Sequence, residues 1–247
     1  MRLLALTAVI LLTMAGAASA GWLYAVDGDY LYSVDPGDGS WISLSSTWTG
    51  TELLTSCDGY LYAIQGDMLY TADPETGEWE SLSSSWQGAI ALTAGSNYLY
   101  ACQNGIIYEA DPYDGSWEAI PGEYYGTALL AWAGGALMVL QNDILYRTDP
   151  ATGDFTELPS SYAGTTAMTG SGGDLFVVQG DGLYRVDPYT GEYADLGGGY
   201  GGVTEMAVAN GYVYTIWEGT LWKTNPDTGD YEALTDGWGA TTAFCSL

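Results

Sequence analysis

Leu61-Tyr62-Ala63-Ile64-Gln65-Gly66-Asp67-Met68-Leu69-Tyr70-Thr71-Ala72-Asp73-Pro74-Glu75-Thr76-Gly77-Glu78-Trp79-Glu80-Ser81-Leu82 is the stretch that decides the fold. Two apolar and aromatic runs flank Gly66-Asp67, a two-residue loop whose residue types supply the positive φ of a tight hairpin turn. Asp73-Pro74-Glu75-Thr76-Gly77 follows, with a side-chain acceptor first, a pre-set φ at proline and a glycine where a left-handed residue is needed. A third run begins at Trp79. Upstream, Asp58-Gly59 turns an earlier run into Tyr60. The unit therefore reads as four antiparallel strands.

The unit recurs. Asp-Pro stands at Asp35-Pro36, Asp73-Pro74, Asp111-Pro112, Asp149-Pro150 and Asp187-Pro188, with Asn225-Pro226 as a sixth copy, every interval being 38 residues. The same spacing aligns Tyr32, Tyr70, Tyr108, Tyr146, Tyr184 and Trp222, and also Trp41, Trp79, Trp117, Phe155, Tyr193 and Tyr231. In the third copy the spacing predicts strands ending at Gly95, over Tyr98–Gln103, over Ile106–Ala110 and over Ser116–Ile120. The second and third strands carry large apolar residues on both parities, as strands buried on both faces do. Beyond residue 20 no window shows a 3.6-residue apolar stripe. Four-stranded units repeated in this number specify an all-β, six-bladed β-propeller of four-stranded blades, occupying residues 21–247 as a single domain of six 38-residue repeats. A linear solenoid would need atypical capping repeats, and the terminal copies look like the middle ones. The first copy begins at a second strand, near Trp22, and Thr241–Leu247 is a lone first strand. The ring is expected to close by pairing of that C-terminal strand with the N-terminal blade.

The copies resemble kelch repeats. The strand–glycine, Tyr-Asp-Pro-like and Trp-x-x-Leu landmarks of that family are matched by Leu61-Tyr-Ala-Ile-Gln-Gly66, Tyr70-Thr-Ala-Asp-Pro74 and Trp79 with Leu82. Gln-Gly or Gln-Asn stands where the family has a double glycine, and the copies are shorter than its period of about 50 residues. The hairpin chemistry is also similar to tectonin-type lectin and quinoprotein propellers. The resemblance implies the fold and leaves the function open, because propellers host unrelated activities.

Met1-Arg2, the apolar run from Leu3 to about Ala15 and Ala18-Ser19-Ala20 read as a signal peptide over residues 1–20 that is removed. The mature chain is thus expected to be secreted, extracellular or periplasmic. Against 31 acidic side chains stand 4 basic ones and no histidine, for a formal charge of −27. Such a chain has no electrostatic affinity for a phosphate backbone or an anionic bilayer, so neither nucleic acid nor membrane is an expected partner. Without imidazole there is no Ser–His–Asp or Cys–His arrangement, and no catalytic residue, metal ligand set or cofactor motif stands out. Glu52 and Glu205 near the starts of inner strands are expected on the channel side but form no compelling acid–base pair.

Candidate ligand residues lie on one rim. The loops joining successive copies carry one aromatic each: Trp48, Trp86, Tyr124, Tyr162, Tyr200 and Trp238. At the end of each second strand lies a polar column of Asp27, Gln65, Gln103, Gln141 and Gln179, broken by Trp217. Rings beside amides and hydroxyls suit a neutral polyol such as a sugar. They equally suit a plug in the seam between blades, buried for its apolar area. The opposite, Asp-Pro rim is acidic and reads as a solvated face, since no spaced calcium loop occurs. Arg147, Arg185 and Lys223 share one repeat column and are expected to pair locally with carboxylates. Cys57, Cys102 and Cys245 are expected to point the same way around the ring, so that no two meet. The functional expectation is a non-enzymatic binding module for a glycan or protein. The alternatives are a structural protein that self-associates into a layer or filament, and an enzyme of unknown type.

Overall fold

The computed structural model describes residues 21–247; the expected leader at 1–20 lies outside the described residues. Among them are six four-stranded antiparallel sheets and no helix. Blade 1 is built from β1 (Leu23–Asp27), β2 (Tyr30–Val34) and β3 (Trp41–Ser46), and its innermost strand is β24 (Thr241–Ser246). Blade 2 comprises β4 (Thr51–Cys57), β5 (Tyr60–Gln65), β6 (Met68–Ala72) and β7 (Trp79–Ser84). Blades 3 to 6 repeat this order over residues 89–119, 127–157, 165–198 and 205–236.

The ring closes as the termini of the repeat pattern require. β24 runs antiparallel to β1, with Leu23 opposite Ser246 and Val26 opposite Ala243, and a bulge at Val26/Asp27. The innermost strands of blades 2 to 5 also carry a register shift near their starts, between Thr51 and Leu53 in blade 2 for example. A bulge increases the local twist.

The core is divided among the seams. Leu61 and Ala63 pack with Tyr24, Val26 and Leu31 of blade 1, while Tyr62 and Ile64, on the other parity, pack with Leu99 and Ala101 of blade 3. Each of the six seams has its own hydrophobic cluster, which is why both faces of the middle strands are apolar. At the Asp-Pro turns, the first residue of each copy accepts a backbone N–H two residues on: Gly37 to Asp35 at 2.7 Å, and likewise at Asp73, Asp111, Asp149, Asp187 and Asn225.

Two expectations are modified. The fourth strands of blades 3 and 4 are short, Trp117–Ala119 and Phe155–Glu157. In blade 2, Leu69 pairs with Ser83, but the corresponding residues here are Pro121 and Pro159, which have no N–H to continue a ladder. Of the three cations, Arg185 does pair with a carboxylate, Asp227, at 3.2 Å. Arg147 instead lies 4.9 Å over the Tyr189 ring and Lys223 lies 4.4 Å over Tyr212. A ring face attracts a cation electrostatically, and at Arg147 it does so with the buried Nε left without a hydrogen-bond partner.

The three cysteines are free and buried in three different seams, Cys245 between blades 1 and 2, Cys57 between 2 and 3, and Cys102 between 3 and 4. The intact-protein mass should accordingly be the same before and after reduction. A gain of two hydrogens on reduction would overturn this arrangement.

Candidate functional site

The joining loops place all six of their rings in the seams. Trp48, Trp86, Tyr124, Tyr162, Tyr200 and Trp238 are 2–5% exposed, one in each hydrophobic cluster. The backbone holds each loop in one way. The N–H of the ring residue bonds across to the second hairpin turn, as Trp86 does to the Asp67 carbonyl and Tyr162 to that of Asp143.

The glutamine column clamps these loops. Gln103 Nε2 donates to the Ser85 and Gln87 carbonyls at 2.9 and 2.8 Å, which flank Trp86. Gln179 does the same to Ser161 and Ala163 at 3.0 and 2.8 Å. Gln65 and Gln141 repeat the pattern at Thr47 and Thr49 and at Glu123 and Tyr125. Asp27 has no donor, and instead accepts from Ala240 N and Thr241 Oγ1. The amide N–H groups are therefore occupied in holding the loop.

How the ring tips are satisfied varies with the residue three positions earlier. Trp48, Trp86 and Trp238 donate their indole N–H to Ser45, Ser83 and Thr235. Where that position is Pro121, a hydroxyl acceptor is lost and tyrosine replaces tryptophan. Tyr124 then donates to the Pro121 carbonyl at 2.8 Å, and Tyr200 bonds to the Thr224 hydroxyl at 2.8 Å.

Beside the plugs lie cavities built from equivalent residues in several seams. Each has the loop ring as its floor, the second-strand residue of the Gln column as one wall, and a third-strand aromatic and an outer-strand aromatic as another. Between blades 1 and 2 the space is about 10 Å³, lined by Trp48, Gln65, Tyr70 and Trp79. Between blades 5 and 6 it is also about 10 Å³, filled by Trp217 and Trp222. Between blades 3 and 4 it widens to about 100 Å³. Between blades 4 and 5 it reaches about 340 Å³, lined by Ser160, Ser161, Tyr162, Val177, Gln179, Tyr184, Val186 and Tyr193. No formally charged side chain is in that last set.

Each cavity also borders a buried polar atom without a partner: Thr51 Oγ1, Thr148 Oγ1, Tyr162 Oη and Trp222 Nε1, respectively in the 1–2, 3–4, 4–5 and 5–6 seams. Burial pushes the Tyr162 phenol pKa up, so it stays protonated and able to donate.

The outer-strand aromatics were visible in the sequence as a column but carried no assigned role. Trp41, Trp79, Trp117, Phe155, Tyr193 and Tyr231 are 44–66% exposed. Each packs edge-on against its own third-strand ring, Tyr32, Tyr70, Tyr108, Tyr146, Tyr184 or Trp222, with centroids 5.0–5.7 Å apart and planes at 71–87°. The signal that would have found them is the company they keep: Glu80, Ser81, Ser83 and Ser84 around Trp79 mark an outer strand with both parities exposed.

The central channel is a second concavity of about 280 Å³ lined by the innermost strands, including Glu52 and Glu205. Glu52 is exposed. Glu205 stands where the other copies have Leu53, Ala91, Leu129, Ala167 and Ala243. Burial pushes its pKa up to about 8, against the opposing effect of a hydrogen bond from the Phe244 N–H. The two carboxyls sit in different environments and share no hydrogen bond.

No protein-family model matches the chain, and no curated protein matches it in sequence.

Proposed function

We propose that the protein is a secreted, non-enzymatic β-propeller that binds a neutral polyhydroxylated ligand, a glycan, in the seams of its loop rim. One observation carries the reading: on a chain of net charge −27, the largest of the described seam cavities is lined by tyrosines, serines, a glutamine and valines with no charged side chain among them. Aromatic faces with a few polar groups are what a sugar's apolar face and hydroxyls need, and about 340 Å³ falls within the roughly 300–1,000 Å³ of small-molecule sites. The kelch-like landmarks and the tectonin-like hairpins accord with a binding propeller. A strongly acidic surface disfavours nucleic acid and anionic membranes as partners, and it keeps copies apart in solution.

The second reading is self-association into a layer or filament. It is favoured by Trp41 and Ile42, which lie together on the outer strand of blade 1 at 51% and 59% exposure. A glycan array probed with residues 21–247 separates the two readings. The expected result is selective binding of neutral glycans, weakened about tenfold by Tyr193→Ala, the loss of one ring contact at this scale, with unchanged thermal unfolding. An array without bound glycans, together with regular assemblies of the purified protein in electron micrographs, would replace the first reading by the second.

A further inference from the structure

Five of the six seam plugs have their polar tip hydrogen-bonded: Trp48, Trp86 and Trp238 to a hydroxyl three residues earlier, Tyr124 to the Pro121 carbonyl, and Tyr200 to Thr224. Tyr162 is the sixth. It is 5% exposed, and its hydroxyl has no partner. The cause is legible in the repeat. Blade 6 supplies Thr224 to Tyr200, whereas the equivalent position in blade 5 is Val186, which has the shape of threonine but no hydroxyl. Pro159 removes the hydroxyl that serves the tryptophan plugs, and Tyr162 does not bond the Pro159 carbonyl as Tyr124 bonds that of Pro121. This same untethered ring borders the largest of the described seam cavities, about 340 Å³. A buried hydroxyl left unpaired is costly, and that cost weakens the hold of this loop on its seam relative to the other five.

We propose that the seam between blades 4 and 5 is the protein's principal ligand site, and that the pair Tyr162–Val186 is what keeps it open to a hydroxyl-bearing ligand. The inference rests on the glycan reading above and narrows it from a rim with six similar seams to one. A ligand hydroxyl entering beside Ser161 and Gln179 meets a protonated phenol with no competing protein partner. In the seam between blades 5 and 6, the same phenol is already engaged by Thr224, and Trp217 and Trp222 occupy the space. The −27 chain thus presents here an uncharged, hydroxyl-lined opening, the largest of the described seam cavities, bordered by the exposed Tyr193 ring.

The test uses residues 21–247 and the strongest glycan found on the array. Val186→Thr offers Tyr162 a hydroxyl at the position from which Thr224 bonds Tyr200. It should weaken binding about tenfold, raise the melting temperature by about 2–4 °C, and slow amide exchange in residues 160–164. Ser45→Ala, which unties Trp48 in a seam of about 10 Å³, should leave the affinity unchanged. If Val186→Thr raises the melting temperature yet leaves the affinity unchanged, or if Ser45→Ala weakens binding equally, the seam assignment is overturned while the glycan reading stands. If no glycan binds, the glycan reading fails and the seam is judged by exchange alone. Amides 160–164 should then exchange faster than 198–202, and the difference should vanish in Val186→Thr. Equal exchange in the two wild-type loops overturns the inference.

Discussion

Removing Thr241–Leu247 should abolish cooperative folding of the whole ring, because this segment is held on both sides. Along one edge, β24 pairs with β1 from Leu23 to Asp27, and Gly21 and Leu247 add a further backbone bond at 2.6 Å. On its flanks, Thr242 donates to the Thr51 carbonyl at 2.6 Å and Ser246 to that of Val208 at 2.7 Å, joining it to blades 2 and 6. Its side chains complete two seams, Phe244 that between blades 6 and 1, Ala243 and Cys245 that between 1 and 2. Deleting a buried phenylalanine alone costs about 3–5 kcal/mol. The loss of ladder bonds and of two seam clusters adds to that, against a total stability of about 5–15 kcal/mol for a domain. The expected readout is a truncated chain with no sharp thermal transition, restored in part by a peptide of residues 239–247 added in trans. A truncated protein that melts like the full one would show that the other blades stand without ring closure.

The second large effect is a pH dependence centred on Glu205. Its carboxyl has a folded-state pKa raised from the ordinary 4.5 to about 8 by burial at the channel wall. For an acid with a raised folded pKa, the folded state holds the proton more tightly than the unfolded one. The resulting stabilisation is complete below about pH 4.5 and is lost as the pH rises through about 8, with a slope approaching about 1.4 kcal/mol per pH unit in between. Glu205→Gln keeps the shape and the acceptor for the Phe244 N–H but has no proton to lose. The stability difference between variant and wild type should grow in favour of the variant by on the order of 4 kcal/mol from pH 4.5 to 8. Comparing the two proteins at each pH cancels the repulsion among the other carboxylates, which both share. A difference that stays flat across this range would mean that the carboxyl is solvated in the folded protein. Burial, and after it the nearby Glu205 carboxylate, raise the Cys245 thiol pKa, so the thiol remains protonated throughout the experiment.

These two sites differ in how far they could be read from the chain. The position of β24 follows from counting: six Asp-Pro or Asn-Pro turns, three strands before the first full unit and one after the last. Glu205 was visible as an inner-strand residue, but its environment was not, because its neighbours, the Phe244 backbone and Cys245, belong to a strand some forty residues away. The seam plugs show the same limit. Their column and that of the glutamines were legible, yet whether the rings face solvent or fill a seam is set by the packing of adjacent blades. The structure buries all six rings and gives the glutamines the loop carbonyls as acceptors.

By itself, then, the sequence determined whatever is local or periodic. The turn residues fix hairpins through their allowed φ angles, a 38-residue period fixes the blade count, and apolar residues on both parities require a blade on either side. Only the tertiary structure decided which repeats differ in consequence. Val186 in place of a threonine and Pro159 in place of a serine are each unremarkable in the chain. They converge only where blades 4 and 5 meet, around one phenol and a cavity of about 340 Å³. The physical reason is that a vacancy or an unpaired hydroxyl is a property of the space between side chains from two sheets, and that space is not written in the order of residues along either one.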